Sequence, residues 1–207
     1  MYKKLFIILN LIMFSAFVFA DQPVLDRISS GIFSENKKFV YVFWTEGDER
    51  EEIHASSYYD SYKSLISRKN FPTDGLYLYN GKKFLWVIDK NERDFEARLD
   101  PLDDGIHLIK HGSPHPISAT ELAFSFYKNG KLIKSYTVKE ICNDDSKFSH
   151  WNDRIIWKSE DKLDNKNKVY TFKSCNKNMK IDVTTGKLSI VGGGGFFDWF
   201  NKKFGSH

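Results

Sequence analysis

The sequence is poor in the features from which chemistry is usually read. It holds only two cysteines, Cys142 and Cys175. With no further thiol and no His/Cys ligand set around them, a cysteine-based metal site is not expected. No run of Lys and Arg stands out, and the formal net charge is only +4 at pH 7. The clustered basic footprint of a nucleic-acid binder is therefore missing, and no nucleic-acid partner is expected. There is no G-x-S-x-G elbow. Gly192 to Gly195 form no phosphate loop, because no Lys-Ser/Thr pair follows them. No catalytic residue and no cofactor is expected on these grounds.

The chain opens with Met1, Lys3 and Lys4, runs through apolar residues 5–19, and reaches Ala20-Asp21. A positive end, an apolar stretch and small residues at −3 and −1 (Val18 and Ala20) read as a cleaved secretory signal peptide over residues 1–20. The alternative is an uncleaved anchor, but the run is short of the ~20 apolar residues that a span needs. No cysteine follows it to carry a lipid. The expected address is the periplasm or the extracellular space. Loss of Lys3 and Lys4 leaves the mature chain near neutrality, with enough residues for one domain with a real core. In an exported chain, Cys142 and Cys175 are expected to pair, contributing about 3.5 kcal/mol in the chain-entropy model. Two unpaired thiols are the other reading.

What is abundant is β-favouring sequence punctuated by Gly-containing turns. Residues 21–34 read as a polar lead-in with a short helical turn. Residues 38–45, KFVYVFWT, read as a strand rich in aromatics and valine. Residues 49–52 are acidic and read as a solvated loop or helix start. Residues 57–68 are the one stretch with helical spacing: Tyr58, Tyr62, Leu65 and Ile66 fall on one face of a 3.6-residue period. The residue before Pro72 ends that helix. Further strands are expected at 105–110, 155–158 and 169–174.

Three hairpins are marked by Asn80-Gly81, Asn129-Gly130 and Thr185-Gly186, each followed by Lys. They recur too loosely for a strict repeat. The expected fold is all-β: an antiparallel meander, either a sandwich or a partial, propeller-like arrangement, with one short helix near 57–68. In the central hairpin, residues 122–138, a three-residue loop with Gly130 left-handed places Leu122, Phe124, Phe126, Leu132, Tyr136 and Val138 on one face, with Lys134 out of place. A two-residue loop leaves both faces mixed. Register follows the face that must be buried, so the longer loop is expected.

Candidate chemistry is sparse. His107, His111 and His115 are spaced by four, but Pro114 and Pro116 exclude the helix that would gather them, and no metal is expected. Asp100, Asp103 and Asp104 lack the ligand alternation of a calcium loop and read as a solvated turn. Ser149-His150-Trp151, followed by Asn152-Asp153, invites a hydrolase reading built on His150. Neighbouring side chains on an extended chain point in opposite directions, so a turn with a semi-buried Trp151 is preferred. Ser149, His150 and Trp151 are retained as binding candidates.

The C-terminal segment 192–207 is a Gly linker and an aromatic amphipath, with Phe196, Trp199, Phe200 and Phe204 near one face if helical. It has two readings: folding back over an open sheet edge, or contact with a membrane surface or a partner.

Residues 104–190 resemble a group of small exported bacterial all-β proteins of uncharacterised function. The matching elements are DGIHLI, FSFYKNGKLIKSYTVKEI, the FSHW segment at 148–151 and MKIDVTTGKL. The resemblance implies an exported all-β domain and supplies no catalytic residue; the chain as a whole reads as one antiparallel β domain over residues 21–191. The function expected is a non-enzymatic binding or envelope scaffold protein, whose partner is an unknown protein or envelope component. A hydrolase using His150 and a membrane-associated protein are the alternatives.

Overall fold

The computed structural model describes residues 29–58, 60–89 and 98–191. The signal-peptide expectation and the tail residues Phe196, Trp199, Phe200 and Phe204 lie outside these. The described chain is mostly strand, in several antiparallel sheets of which none closes into a barrel.

Six strands form the N-terminal sheet: β1 (Ser30–Phe33), β2 (Phe39–Phe43), β3 (Glu52–Ser56), β4 (Lys63–Ser67), β5 (Gly75–Leu78) and β6 (Lys83–Trp86). Their order is β4-β3-β1-β2-β5-β6, with one parallel pair, β1 against β3. The middle sheet is a four-strand meander: β7 (Leu99–Pro101), β8 (His107–His111), β9 (Leu122–Lys128) and β10 (Lys131–Thr137). A four-residue helix, α1 (Val138–Ile141), follows. A short ribbon of β11 (Ser149–Trp151) and β12 (Arg154–Ile156) leads to the C-terminal sheet. That sheet is a second four-strand meander: β13 (Ser159–Asp164), β14 (Val169–Ser174), β15 (Lys177–Asp182) and β16 (Lys187–Val191).

The sheets stack as layers with the middle sheet between the other two. Its Phe124, Phe126 and Ile109 share a buried cluster with Tyr170, Phe172 and Ile181 of the C-terminal sheet. Its Leu99, Leu108 and Tyr127 share another with Tyr41, Leu76 and Trp86 of the N-terminal sheet. Strand β8 is accordingly buried at every position, and β9 at all but its ends. Such strands cannot alternate apolar with polar as a one-sided strand does. A third cluster, with Phe33, Val42, Trp44 and Ile53, covers the other face of the N-terminal sheet.

The three Gly-marked hairpins all form, one per layer: β5–β6, β9–β10 and β15–β16. The central turn, however, has two residues. Lys128 pairs with Lys131, and Asn129 and Gly130 lie at φ 50° and 78°, as a type I′ turn requires. Gly130 is left-handed as expected, but the loop length is corrected. Burial is reconciled by a bulge instead: pairing shifts between Leu132↔Tyr127 and Lys134↔Phe126, at Ile133. Ile133 and Tyr136 thereby rest on the main core, whereas Leu132 is 45% exposed. The tight turn has its own reason. A Cβ on Gly130 would lie 2.3 Å from the Val87 carbonyl oxygen, so the turn is docked on the N-terminal sheet's last strand connection.

Two further expectations are corrected. The described residues of 57–68 hold no helix; Lys63–Ser67 is β4, antiparallel to β3. Ile66 is buried and Leu65 is 56% exposed, a period of two that the fortuitous 3.6 spacing of Tyr58, Tyr62 and Leu65/Ile66 concealed. The lead-in contains β1, which sits between β3 and β2 inside the N-terminal sheet. Among the described residues the α-helix is α1, closed by a capping box: Glu140 N donates to Thr137 Oγ1, and Thr137 N donates to the Glu140 carboxylate.

Cys142, which ends α1, is bonded to Cys175, in the turn between β14 and β15. Their Cα atoms are 5.9 Å apart. The bridge ties the middle layer's helix to the tip of the C-terminal sheet and marks a non-reducing environment.

Candidate functional site

A polar cluster lies where the three sheets meet, buried at Asp100, His111 and Tyr170 and open to solvent at Asp161. Arg98, the residue before β7, and Asp100 within it are two residues apart and so point to one face. The His111 amide donates to the Arg98 carbonyl at 2.8 Å, which brings the His111 ring onto that same face. From the C-terminal sheet come Lys158, Asp161 and Tyr170. Here β13 slips in register between Ser159 and Lys162, with Glu160 at φ 51°, and Asp161 sits inside this irregularity. Bulges re-aim side chains in this way.

Arg98 holds Asp100 bidentately, Nε to Oδ1 at 3.0 Å and Nη2 to Oδ2 at 2.8 Å. Its Nη1 reaches Asp161 Oδ2 at 3.3 Å, linking the two sheets. His111 Nε2 lies 2.8 Å from Asp100 Oδ2. Asp161 Oδ2 also accepts from Lys158 Nζ at 3.0 Å and from the Tyr170 hydroxyl at 2.6 Å. Lys158 Nζ donates to the Tyr170 oxygen at 2.9 Å and lies over the Phe124 ring, 5.5 Å from its centroid. Arg98 lies over Tyr58 at 4.8 Å.

Burial opposes ionisation of Asp100, but the hydrogen bond from His111 and the Arg98 guanidinium outweigh it, and the carboxyl lies below its ordinary range. Burial is the largest influence on His111 too, and there it wins, pushing the imidazole pKa down. The ring is neutral at pH 7, with Nε2–H donating to Asp100. For Asp161, burial is outweighed by the Tyr170 hydroxyl and Lys158, which hold it at about 2. Burial raises the Tyr170 phenol, with the Asp161 charge adding to it, and burial lowers Lys158 against the pull of Asp161.

Arg98, His111, Lys158 and Asp161 line a cleft of about 490 Å³ whose other walls include Ser30 and Ile32 of β1, Tyr58, His115 and Trp157, while Asp100 and Tyr170 are buried behind its wall. The volume is within the range of small-molecule sites. Two further features belong to it. The Nδ1 atom of His111 is buried with no hydrogen-bond partner among the described residues. Tyr58 stands at the cleft with 52% of its surface exposed.

The residues singled out in the sequence fare unevenly. Ser149, His150 and Trp151 lie on β11, all exposed, with Trp151 61% exposed rather than semi-buried in a turn. Among the described residues no carboxylate hydrogen-bonds the His150 ring. The ribbon meets the cleft at His115, through the Trp151 ring 6.4 Å from the His115 ring and through Arg154 Nη1, which donates to the His115 carbonyl at 3.3 Å. Asp100 is fully buried rather than part of a solvated turn. Asp103 accepts from the Asn36 amide at 2.8 Å, and Asp104 binds His107 Nδ1 at 2.7 Å and Lys168 Nζ at 2.9 Å. Of the three spaced histidines, His111 and His115 line the cleft, and His107 is paired elsewhere with Asp104. Arg98, Lys158, Asp161 and Tyr170 escaped the sequence reading. Their one signal is a charge set in apolar surroundings, as in Leu99-Asp100-Pro101-Leu102.

No protein family, curated protein or solved structure matches the chain. Among the described residues no helix is long and apolar enough to cross a membrane.

Proposed function

We propose that this chain is an exported, non-catalytic binding protein that takes a small polar ligand in the cleft between its sheets. The observation that carries the reading is the internal compensation of the cleft. Arg98 is matched by Asp100, and Lys158 by Asp161 and Tyr170. Nucleophilic catalysis calls for a group activated by a neighbouring base and left free to attack. The groups here hold one another, which suits a rigid, pre-organised recognition surface. The exposed His150, without a carboxylate partner among the described residues, supports binding over hydrolysis. The Cys142–Cys175 bridge and the N-terminal 1–20 pattern support export.

Two measurements test this. The protein recovered from outside the cytoplasm of its host should begin at Asp21 by intact mass and contain no free thiol. Retention in the cytoplasm with residues 1–20 attached would remove export. In the purified chain, the indole N–H resonance of Trp157, a cleft wall, should move when a low-molecular-weight extract of the host envelope is added. The Trp44 indole, which donates to the Phe71 carbonyl in the far core of the N-terminal sheet, should stay fixed. No movement at Trp157 would overturn the binding reading.

A further inference from the structure

The chemistry of the cleft narrows the class of ligand. We infer that it takes a neutral, hydroxyl-bearing ring compound, a mono- or disaccharide, an assignment that rests on the cleft being a binding site.

The charges are the first constraint. Two cations, Arg98 and Lys158, face two carboxylates, Asp100 and Asp161, and His111 is neutral. The cleft has no net charge to offer. An anionic ligand approaching Arg98 or Lys158 would meet Asp161, and a cationic one approaching Asp161 would meet Lys158. Either would have to displace an existing partner, and where that partner is the fully buried Asp100 the separation is expensive. A neutral ligand escapes that cost.

The unused hydrogen-bonding capacity is the second. A guanidinium carries five N–H groups and an ammonium three. Among the described residues, Arg98 donates through Nε, Nη1 and Nη2 to the two carboxylates, and Lys158 donates to Asp161 and Tyr170. Donors remain on both cations. Acceptors remain as well: Asp161 Oδ1 and, with Nε2–H committed to Asp100, the unpartnered Nδ1 of His111. Free donors and free acceptors on residues of one cleft match hydroxyl groups, each of which gives one hydrogen bond and receives others.

The third is the aromatic rim. Tyr58 is held by Arg98 on one side and remains half exposed. A flat, partly exposed ring at the mouth of a polar cleft suits the apolar C–H face of a pyranose, whose edge carries the hydroxyls. Trp157 and Phe124 supply apolar wall deeper in.

The test uses maltose, cellobiose and N,N′-diacetylchitobiose as saccharide probes, with sodium acetate, sodium phosphate and glycine as anionic and zwitterionic counterparts. Each is titrated into the purified chain at millimolar concentrations while the Trp157 and Trp44 indole resonances are followed. At least one saccharide is expected to move Trp157 saturably and leave Trp44 unmoved. Tyr58→Ala, at a half-exposed position, should weaken that binding about tenfold while the Trp44 resonance stays in place. Asp161→Asn should weaken it too, with the Trp44 resonance reporting an intact fold. Saturable movement with acetate, phosphate or glycine in place of the saccharides overturns the assignment and leaves the binding reading standing. The same holds if the envelope extract moves Trp157 and no saccharide does. If neither extract nor probe moves it, both fall. Saccharide binding indifferent to Tyr58→Ala and Asp161→Asn places the sugar elsewhere and also overturns the assignment.

Discussion

The Tyr136 hydroxyl donates to the Gly186 carbonyl oxygen at 2.7 Å, so a side chain of the middle sheet closes on the turn of the C-terminal sheet. The same turn leans on Lys134, whose Cβ would stand 2.5 Å from a Cβ at position 186. Tyr136→Phe keeps the ring on the core and removes only this bond. It should destabilise the protein by about 1 kcal/mol in urea titration, with an unchanged m-value.

Gly130 offers a sharper comparison. It has φ 78° and meets the Val87 carbonyl oxygen, whereas Gly47 has φ 80° with nothing within 4 Å. Gly47→Ala therefore carries only the left-handed backbone penalty, about 1 kcal/mol. Gly130→Ala adds a clash with backbone that cannot swing aside, and should cost about 3 kcal/mol. Equal losses in the two variants would show that the turn is not docked on the N-terminal sheet.

The Cys142–Cys175 bridge spans a sequence separation of 33. Replacing both with Ser should cost about 3.5 kcal/mol, read as a lower denaturation midpoint. Because the bridge links α1 to the C-terminal sheet, β14 and β15 amides should lose exchange protection before those of β1 and β2 do.

Acid should act in two stages. His111 has its folded-state pKa lowered from the ordinary 6.5, so below that value the unfolded chain binds more protons and stability falls with falling pH. Asp100 and Asp161 are held below the ordinary 3.8, Asp161 at about 2. Their stabilisation is full above about 3.8 and is lost as pH drops through the folded values. The melting temperature should thus decline first below about pH 6.5 and again below about pH 4. His111→Gln, which retains a donor for Asp100, should flatten the first decline and leave the second.

Much of the scaffold is legible because glycine turns and cysteines leave local marks. Asn129-Gly130 states a left-handed turn wherever it falls, and two cysteines allow one intramolecular pair. What was misread depends on partners far along the chain. Residues 63–67 are a strand because β3 lies alongside, and β3 itself, with Ile53 and Ala55 buried between exposed Glu52, His54 and Ser56, alternates strictly. Burial on one face favours the longer loop in the central hairpin, but β9 is buried on both, which removes that constraint. The cleft was out of reach for the same reason. Its parts come from β7, the end of β8 and the C-terminal sheet, and no local pattern joins Arg98 to Asp161.

Enclosure of the middle sheet also governs how the chain tolerates mutational drift. A strand with one wet face offers every second position to neutral substitution. The interiors of β8 and β9 offer none, since each side chain, whichever way it points, enters a packed layer. A saturation scan should find the tolerated changes concentrated on β4, β11 and β16, with the middle of the stack nearly silent.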